Sequence, residues 1–188
     1  MAEYTIENLE VTPFFDIELF MNVSQETRVG GKVMETLGVL WEKWIKELNA
    51  RRISFGKVEY LAVWLNESVE EEVDKAWEEK PSEAFMHNAL AQTICMGAVH
   101  SLLPEIEDAG CAPAPKVTER LQEALESIGM PYKDDGPTLA RRYAVVTHFP
   151  FKGACEICSL QSNCPKGQGQ TGNSSSIVLP GYERGPGE

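Results

Sequence analysis

The sequence of 188 residues predicts a mainly α-helical protein, a bundle of four to five helices with a C-terminal cysteine-rich metal loop and an extended tail. Three observations support this prediction. Apolar residues recur at three- and four-residue spacing through most of the chain up to Gly129, which is the period of an amphipathic helix. Glycine and proline divide that pattern into segments of helical length. Three cysteines then fall in one short window near the C-terminus.

Four segments carry the helical period, and they cover residues 24–48, 55–79, 81–108 and 117–128. The third is low in charge through its middle, as expected of a central helix with neighbours on several sides. The second carries a run of carboxylates opposite its apolar stripe, and we interpret that run as a solvated helix face. Together these segments predict an all-α body.

Two further stretches are less regular. Residues 139–149, LARRYAVVTHF, follow Pro137 and are predicted as a fifth helix, although Val145, Val146 and Thr147 are β-branched and disfavour that state. Residues 1–22 mix apolar and acidic side chains, and their periodicity does not separate strand from helix.

The chain divides into a helical body over residues 1–147, a metal-binding loop over 148–167 and a tail rich in glycine, serine and proline over 168–188. A tail of that composition becomes ordered only where something holds it. We therefore expect it to contact the body, the metal loop or a partner chain, and oligomerisation could use it.

Composition and charge exclude several classes of function. The net charge of -12 opposes nucleic-acid binding, which depends on clustered lysine and arginine. There is no apolar run long enough to insert into a membrane, and the N-terminus MAEYTIENLE does not have the pattern of a secretory signal. We expect a cytoplasmic protein without a nucleic-acid partner.

The strongest chemical signal is the run HFPFKGACEICSLQSNCPKG, in which Cys155 and Cys158 form a Cys-x2-Cys pair and Cys164 follows after five intervening residues. Two such thiolates can converge from a tight turn on one metal centre, and a third can join them as the loop returns. Structural zinc sites usually combine two separate ligand pairs, and this chain has no second pair. An iron–sulfur cluster is therefore favoured, with zinc as the alternative and three unliganded surface thiols as the third interpretation.

This loop resembles the cluster-binding loop of endonuclease III-type and adenine-specific DNA glycosylases, which carries four cysteines spaced Cys-x6-Cys-x2-Cys-x5-Cys around a [4Fe-4S] cluster. The last three positions match Cys155, Cys158 and Cys164, and His148 stands at the first. The resemblance implies a [4Fe-4S] cluster with His148 as the fourth ligand. It covers only residues 148–164, and the helix-hairpin-helix and basic DNA face of those enzymes are absent from the sequence.

Other residues are candidates for the surroundings of the cluster. Lys152 and Lys166 bring positive charge close to the anionic thiolates, and Gly153 lets the backbone approach sulfur. Besides His148, the fourth ligand could be Cys95 or Cys111, or the position could be open. Cys95 lies in an apolar segment, where a free cysteine usually behaves as a small hydrophobic residue.

Apart from the candidate metal ligands, the sequence contains few residues that indicate a chemical function. It has no nucleotide-binding loop, catalytic triad order or zinc-protease motif. We expect an accessory protein that carries an iron–sulfur cluster and exchanges single electrons with a redox partner protein. The alternatives are an interaction module in which zinc or a cluster only staples the loop, and an enzyme that uses an open iron of the cluster as a Lewis acid.

Overall fold

The computed structural model describes residues 4–134, 136, 138–153 and 155–164. Its α-helices are α1 (Ile17–Ser24), α2 (Gly31–Trp44), α3 (Glu67–Glu79), α4 (Pro81–Leu102), α5 (Glu105–Ala109) and α6 (Glu119–Ser127). Its strands are β1 (Thr5–Asn8), β2 (Leu48–Phe55), β3 (Val58–Leu65) and β4 (Ala144–Phe149). Within the part of the chain that the structure describes, no helix is both long and apolar enough to cross a membrane.

The four strands form one antiparallel sheet in the order β1-β2-β3-β4. The prediction of a mainly α, all-α bundle is therefore wrong, because the protein is a mixed α and β structure. Three of the predicted helical segments contain strand residues. The N-terminal region, whose type the sequence left open, contains both β1 and α1.

The segment predicted as one helix over residues 55–79 is a strand followed by a helix. Strand β3 has the sequence VEYLAVWL, and its last six residues are buried on both faces of the sheet. A strand buried on both faces has a continuous apolar run without alternation. Leu61 and Leu65 in that run, together with the exposed Val58 at the start of the strand, imitate helical spacing. Asn66 then separates β3 from α3.

The fifth predicted helix, over residues 139–149, is also wrong. Its second half is β4, which pairs with β3 in a register that places Val146 opposite Ala62. The β-branched residues Val145, Val146 and Thr147 fit the pleated surface of a sheet better than a helix. His148 and Phe149 belong to this strand, so the predicted metal segment begins inside the sheet.

Two hydrophobic cores lie on opposite faces of the sheet. On one face, Leu61, Val63 and Leu65 of β3 pack in the larger core with buried residues of α2, α3 and α4. On the other face, Tyr60, Ala62 and Trp64 belong to a smaller core that contains buried residues of α6. The sheet is thus the middle layer of three, and α4 is buried along most of its length, as its low charge predicts.

The acidic face of α3 is not simply solvated. Arg141 forms an ion pair with Glu67 at 3.2 Å, and the two outer nitrogens of Arg142 donate to the Asp74 carboxylate at 2.7 and 3.0 Å. Glu70 accepts a hydrogen bond from the Arg142 backbone N–H at 3.0 Å. These contacts hold the segment before β4 against α3 and so set where β4 begins.

We predict that Thr147→Val lowers the free energy of unfolding by about 1–3 kcal/mol, the usual cost of leaving a buried polar group unpaired. The Thr147 hydroxyl is fully buried and donates to the Pro113 carbonyl at 2.9 Å. Urea denaturation measures the change. Thr36→Val is the matched control, because the exposed Thr36 hydroxyl donates to the Lys32 carbonyl within a helix and its loss should stay within about 0.5 kcal/mol. Equal losses in both variants would contradict the prediction.

Candidate functional site

The cysteine loop leaves the sheet at the end of β4, where aromatic contacts fix its first residues. Phe149 and Phe151 pack against the larger core. The Arg52 guanidinium carbon lies 5.4 Å from the centroid of the Phe149 ring, and one of its nitrogens donates to both Glu59 oxygens at 2.7 and 2.8 Å. The start of the loop is therefore held on the sheet face that carries the larger core.

The backbone of the loop winds in steps of three residues. The N–H of Cys158 donates to the carbonyl of Cys155 at 3.2 Å, the N–H of Gln161 to that of Cys158 at 3.2 Å, and the N–H of Cys164 to that of Gln161 at 3.3 Å. These bonds close successive turns, and of the described loop residues only Gln161–Asn163 forms a 3-10 helix. Cys155, Cys158 and Cys164 stand at the ends of these turns, so one short stretch of chain carries all three thiols.

The middle of the loop is docked on the extended segment before α6. The Ser159 N–H donates to the Ala114 carbonyl at 2.9 Å, and the Ser159 hydroxyl donates to the Pro115 carbonyl at 3.0 Å. The same segment accepts from Thr147 at Pro113. Three consecutive carbonyls of this segment therefore connect β4 and the loop.

The described residues fit a metal centre only in part. The loop supplies three free thiols of intermediate exposure, which is the donor type that zinc and iron–sulfur clusters select. Among the described residues, however, no group of three histidine, cysteine, aspartate or glutamate side chains is close enough to hold a metal ion. The three predicted ligands therefore lie on one loop but are not assembled, and a metal centre would require the loop to close further.

His148 lies on the sheet face that carries the smaller core. Its ring centroid is 5.2 Å from that of Tyr60, its cross-strand partner in β3. Partial burial, together with the charge of Lys152, lowers the pKa of His148, so the imidazole is neutral at physiological pH. A neutral imidazole is the form that binds metal. The structure does not bring His148 together with two of the loop cysteines.

Of the residues predicted to surround the cluster, Lys152 and Gly153 are described and both are exposed. Gly153 has φ +39°, and an added Cβ there would meet no atom within 4 Å. The hydrogen bond from Arg52 lowers the pKa of Glu59, and the charge of Lys152 lowers it further. The same charge adds to the effect of burial in lowering the pKa of His148. Lys166 and the tail predicted over residues 168–188 lie outside the described residues.

The two remaining cysteines have different surroundings. Cys95 is buried in the larger core, and burial raises the pKa of its thiol to about 12. Its sulfur donates to the Tyr143 carbonyl at 3.4 Å, as expected of a packed core thiol. Cys111 is half-buried at the start of the segment that docks the loop. It lines a groove of about 720 Å³ beside β4.

Sequence reasoning missed this groove entirely. Its lining comes from α3, α4, β4, Lys133 and the two segments at residues 111–114 and 138–142. Each segment is unremarkable by itself, and only the pairing of β4 with β3 brings them together. The one available signal was the β-branched run at residues 145–147, which would have placed a strand here.

Comparisons with protein-family models, with curated proteins and with solved structures find no match to this chain.

We predict that Ser159→Ala loosens the loop without affecting the global fold. A single hydrogen bond contributes about 0.5–1.5 kcal/mol net, so its loss should raise the population of the open loop about two- to tenfold. Limited trypsin cleavage after Lys152 measures that population, and its rate should rise by the same factor. Ser101→Ala, which removes a hydroxyl bonded to Gly97 on α4, is the control and should leave the cleavage rate unchanged. An unchanged rate in Ser159→Ala would show that the Ser159 hydroxyl does not anchor the loop.

Proposed function

We propose that this protein binds an iron–sulfur cluster through Cys155, Cys158 and Cys164 and acts as a redox accessory that exchanges single electrons with a partner protein. The observation that carries the proposal is the presence of three free, partly exposed thiols, Cys155, Cys158 and Cys164, on one short loop of successive turns. Closing the loop around the metal would complete the ligand set, since metal binding commonly supplies the free energy that orders its own site.

The exposure of the loop supports a role in electron transfer. Glu156, Ile157, Ser159 and Leu160 are exposed between the ligand cysteines. A cluster held by such a loop would lie at the protein surface, where a partner can approach it. Cys155, Cys158 and Cys164 would hold the cluster, His148 would supply a neutral fourth ligand, and Lys152 would offset the negative charge of the thiolates. A reducing compartment such as the cytoplasm would keep these thiols free.

A second candidate is an interaction module in which zinc only staples the loop. The anchoring of Ser159 on Ala114 and Pro115 favours it, because a loop already tied to the body needs little more than one metal ion to become rigid. Metal and sulfide analysis of anaerobically purified protein separates the two candidates. Iron with equimolar acid-labile sulfide and a colour that dithionite bleaches support the cluster. Colourless protein that contains zinc supports the interaction module.

We predict that Cys155→Ala, Cys158→Ala and Cys164→Ala each abolish stoichiometric metal binding, because each removes a primary ligand from the loop. Elemental analysis after anaerobic reconstitution measures the bound iron, sulfide and zinc. Cys111→Ala is the matched control, since it removes a half-buried thiol outside the loop and should leave the metal content unchanged.

Full metal content in any of the three loop variants would refute the proposed ligand set. Loss of metal in Cys111→Ala as well would instead make Cys111 the fourth ligand in place of His148. Circular dichroism of each variant confirms that the sheet and helices remain folded.

We predict that His148→Cys retains the cluster and lowers its reduction potential by on the order of 100 mV, because a thiolate makes the cluster more negative than a neutral imidazole does. Redox titration followed by absorbance measures the shift. His100→Cys, which adds a thiol on α4, is the control and should leave the potential unchanged. An equal potential in His148→Cys and the parent protein would show that residue 148 does not ligate the cluster.

A further inference from the structure

We propose that the groove beside β4 binds an extended acidic peptide segment of another protein, which adds to the free edge of the sheet as a further strand. The proposal does not rest on the proposed redox role, although Ala114 both lines the groove and accepts a hydrogen bond from the cysteine loop. The site combines a strand edge without a partner among the described residues, a cavity along that edge and an exposed lysine, Lys133, in the lining.

The backbone groups on the edge of β4 that faces away from β3 have no partner among the described residues. The N–H of Leu65 donates to the carbonyl of Tyr143, which makes this a hydrogen-bonded pair of the antiparallel ladder. Hydrogen-bonded and non-hydrogen-bonded pairs alternate along such a ladder. Ala144 and Val146 therefore occupy non-hydrogen-bonded positions and direct their N–H and C=O groups away from β3. No hydrogen bond from a described residue reaches these groups on that side.

The groove lies along this edge. Ala144, Val145 and Val146 line it together with one wall from residues 111–114 and another from residues 138–142, and its volume is about 720 Å³. Ala144 and Val146 each present one N–H donor and one C=O acceptor, and the two residues lie about 6.7 Å apart along the edge. This repeat complements the backbone of another extended segment. A compact small molecule does not present that repeat, so the edge selects a peptide.

The small side chains that line the groove suit the approach of a main chain. Four alanines, Ala112, Ala114, Ala140 and Ala144, contribute to its lining, and their short side chains allow another backbone to approach closely. Met96 from α4 also lines the groove and offers an apolar contact for one side chain of the peptide. The occupant is therefore an extended segment with small or apolar residues at alternate positions.

One exposed lysine of the lining, Lys133, favours an acidic residue in the occupant. Lys133, Arg141 and Arg142 line the groove with one carboxylate, Glu70, in a protein of net charge -12. The two arginines are already paired with carboxylates of α3. Lys133 is exposed and has no ion-pair partner among the described residues, while its neighbour Asp134 does not line the groove. A carboxylate of the bound peptide would pair with Lys133.

The test starts with a phage-displayed library of random seven-residue peptides selected against the full-length protein. Synthetic copies of the enriched peptides are then titrated by isothermal calorimetry. We expect enriched peptides to carry aspartate or glutamate. Lys133→Glu should weaken their binding about three- to tenfold, since one exposed ion pair becomes a repulsive contact. Lys57→Glu, in the turn between β2 and β3, makes the same charge change away from the groove and should leave binding unchanged.

Backbone pairing has its own readout. Ala144→Pro removes the outward N–H of the first residue of β4, a position where an edge strand tolerates proline, and should abolish binding. Amide hydrogen exchange in the unsubstituted protein gives the same information without relying on the folding of that variant. The amides of Ala144 and Val146 should exchange faster than those of Val145 and Thr147 in the free protein, and they should become slow when the peptide is added.

Several results would overturn the proposal. One is the absence of enriched peptides. Another is a peptide whose affinity is the same for the Lys133→Glu variant and whose addition leaves the exchange rates of the Ala144 and Val146 amides unchanged. Slow exchange of these two amides in the free protein at every dilution would mean that the chain's own residues fill the groove. Slow exchange only at high concentration would mean that a second copy fills it.

Discussion

Strand β3 is buried on both faces, and the rest of the structure depends on that constraint. Six consecutive residues at its C-terminal end are buried, and a fully buried aliphatic or aromatic side chain contributes about 1.5–3 kcal/mol relative to an exposed one. Neither face can be left to solvent. Helix α4 and its neighbours therefore cover one face and α6 covers the other, and strands β2 and β4 must pair with its two edges.

The pairing of β4 with β3 determines where the chemistry of this protein lies. It carries the chain from the ion-paired segment on α3 to the start of the cysteine loop. It also separates the two kinds of cysteine. Cys95 stays protonated in the core because burial raises its pKa, whereas the three loop thiols lie at the periphery, where a metal can reach them. Cys111, half-buried in the segment that docks the loop, belongs to neither group.

One short segment serves both candidate sites. The carbonyls of Pro113, Ala114 and Pro115 accept hydrogen bonds from Thr147 and Ser159 and so hold the cysteine loop beside β4. The side chains of Ala112 and Ala114 line the groove next to the strand edge. Proline at positions 113 and 115 suits this role, because proline has no N–H of its own and an extended conformation leaves its carbonyl available. The loop and the groove therefore share one wall.

The sequence by itself identified the cysteine loop, the helical nature of α2, α3, α4 and α6, and the burial of α4. These features depend on local spacing and on composition, which the chain carries without its neighbours. Only the tertiary structure decided that residues 58–65 and 144–149 are strands, because a strand buried on both faces has no alternating pattern and its conformation depends on partners distant in sequence. The groove and the docking of Ser159 have the same origin. Both arise from segments that come together only when β4 pairs with β3.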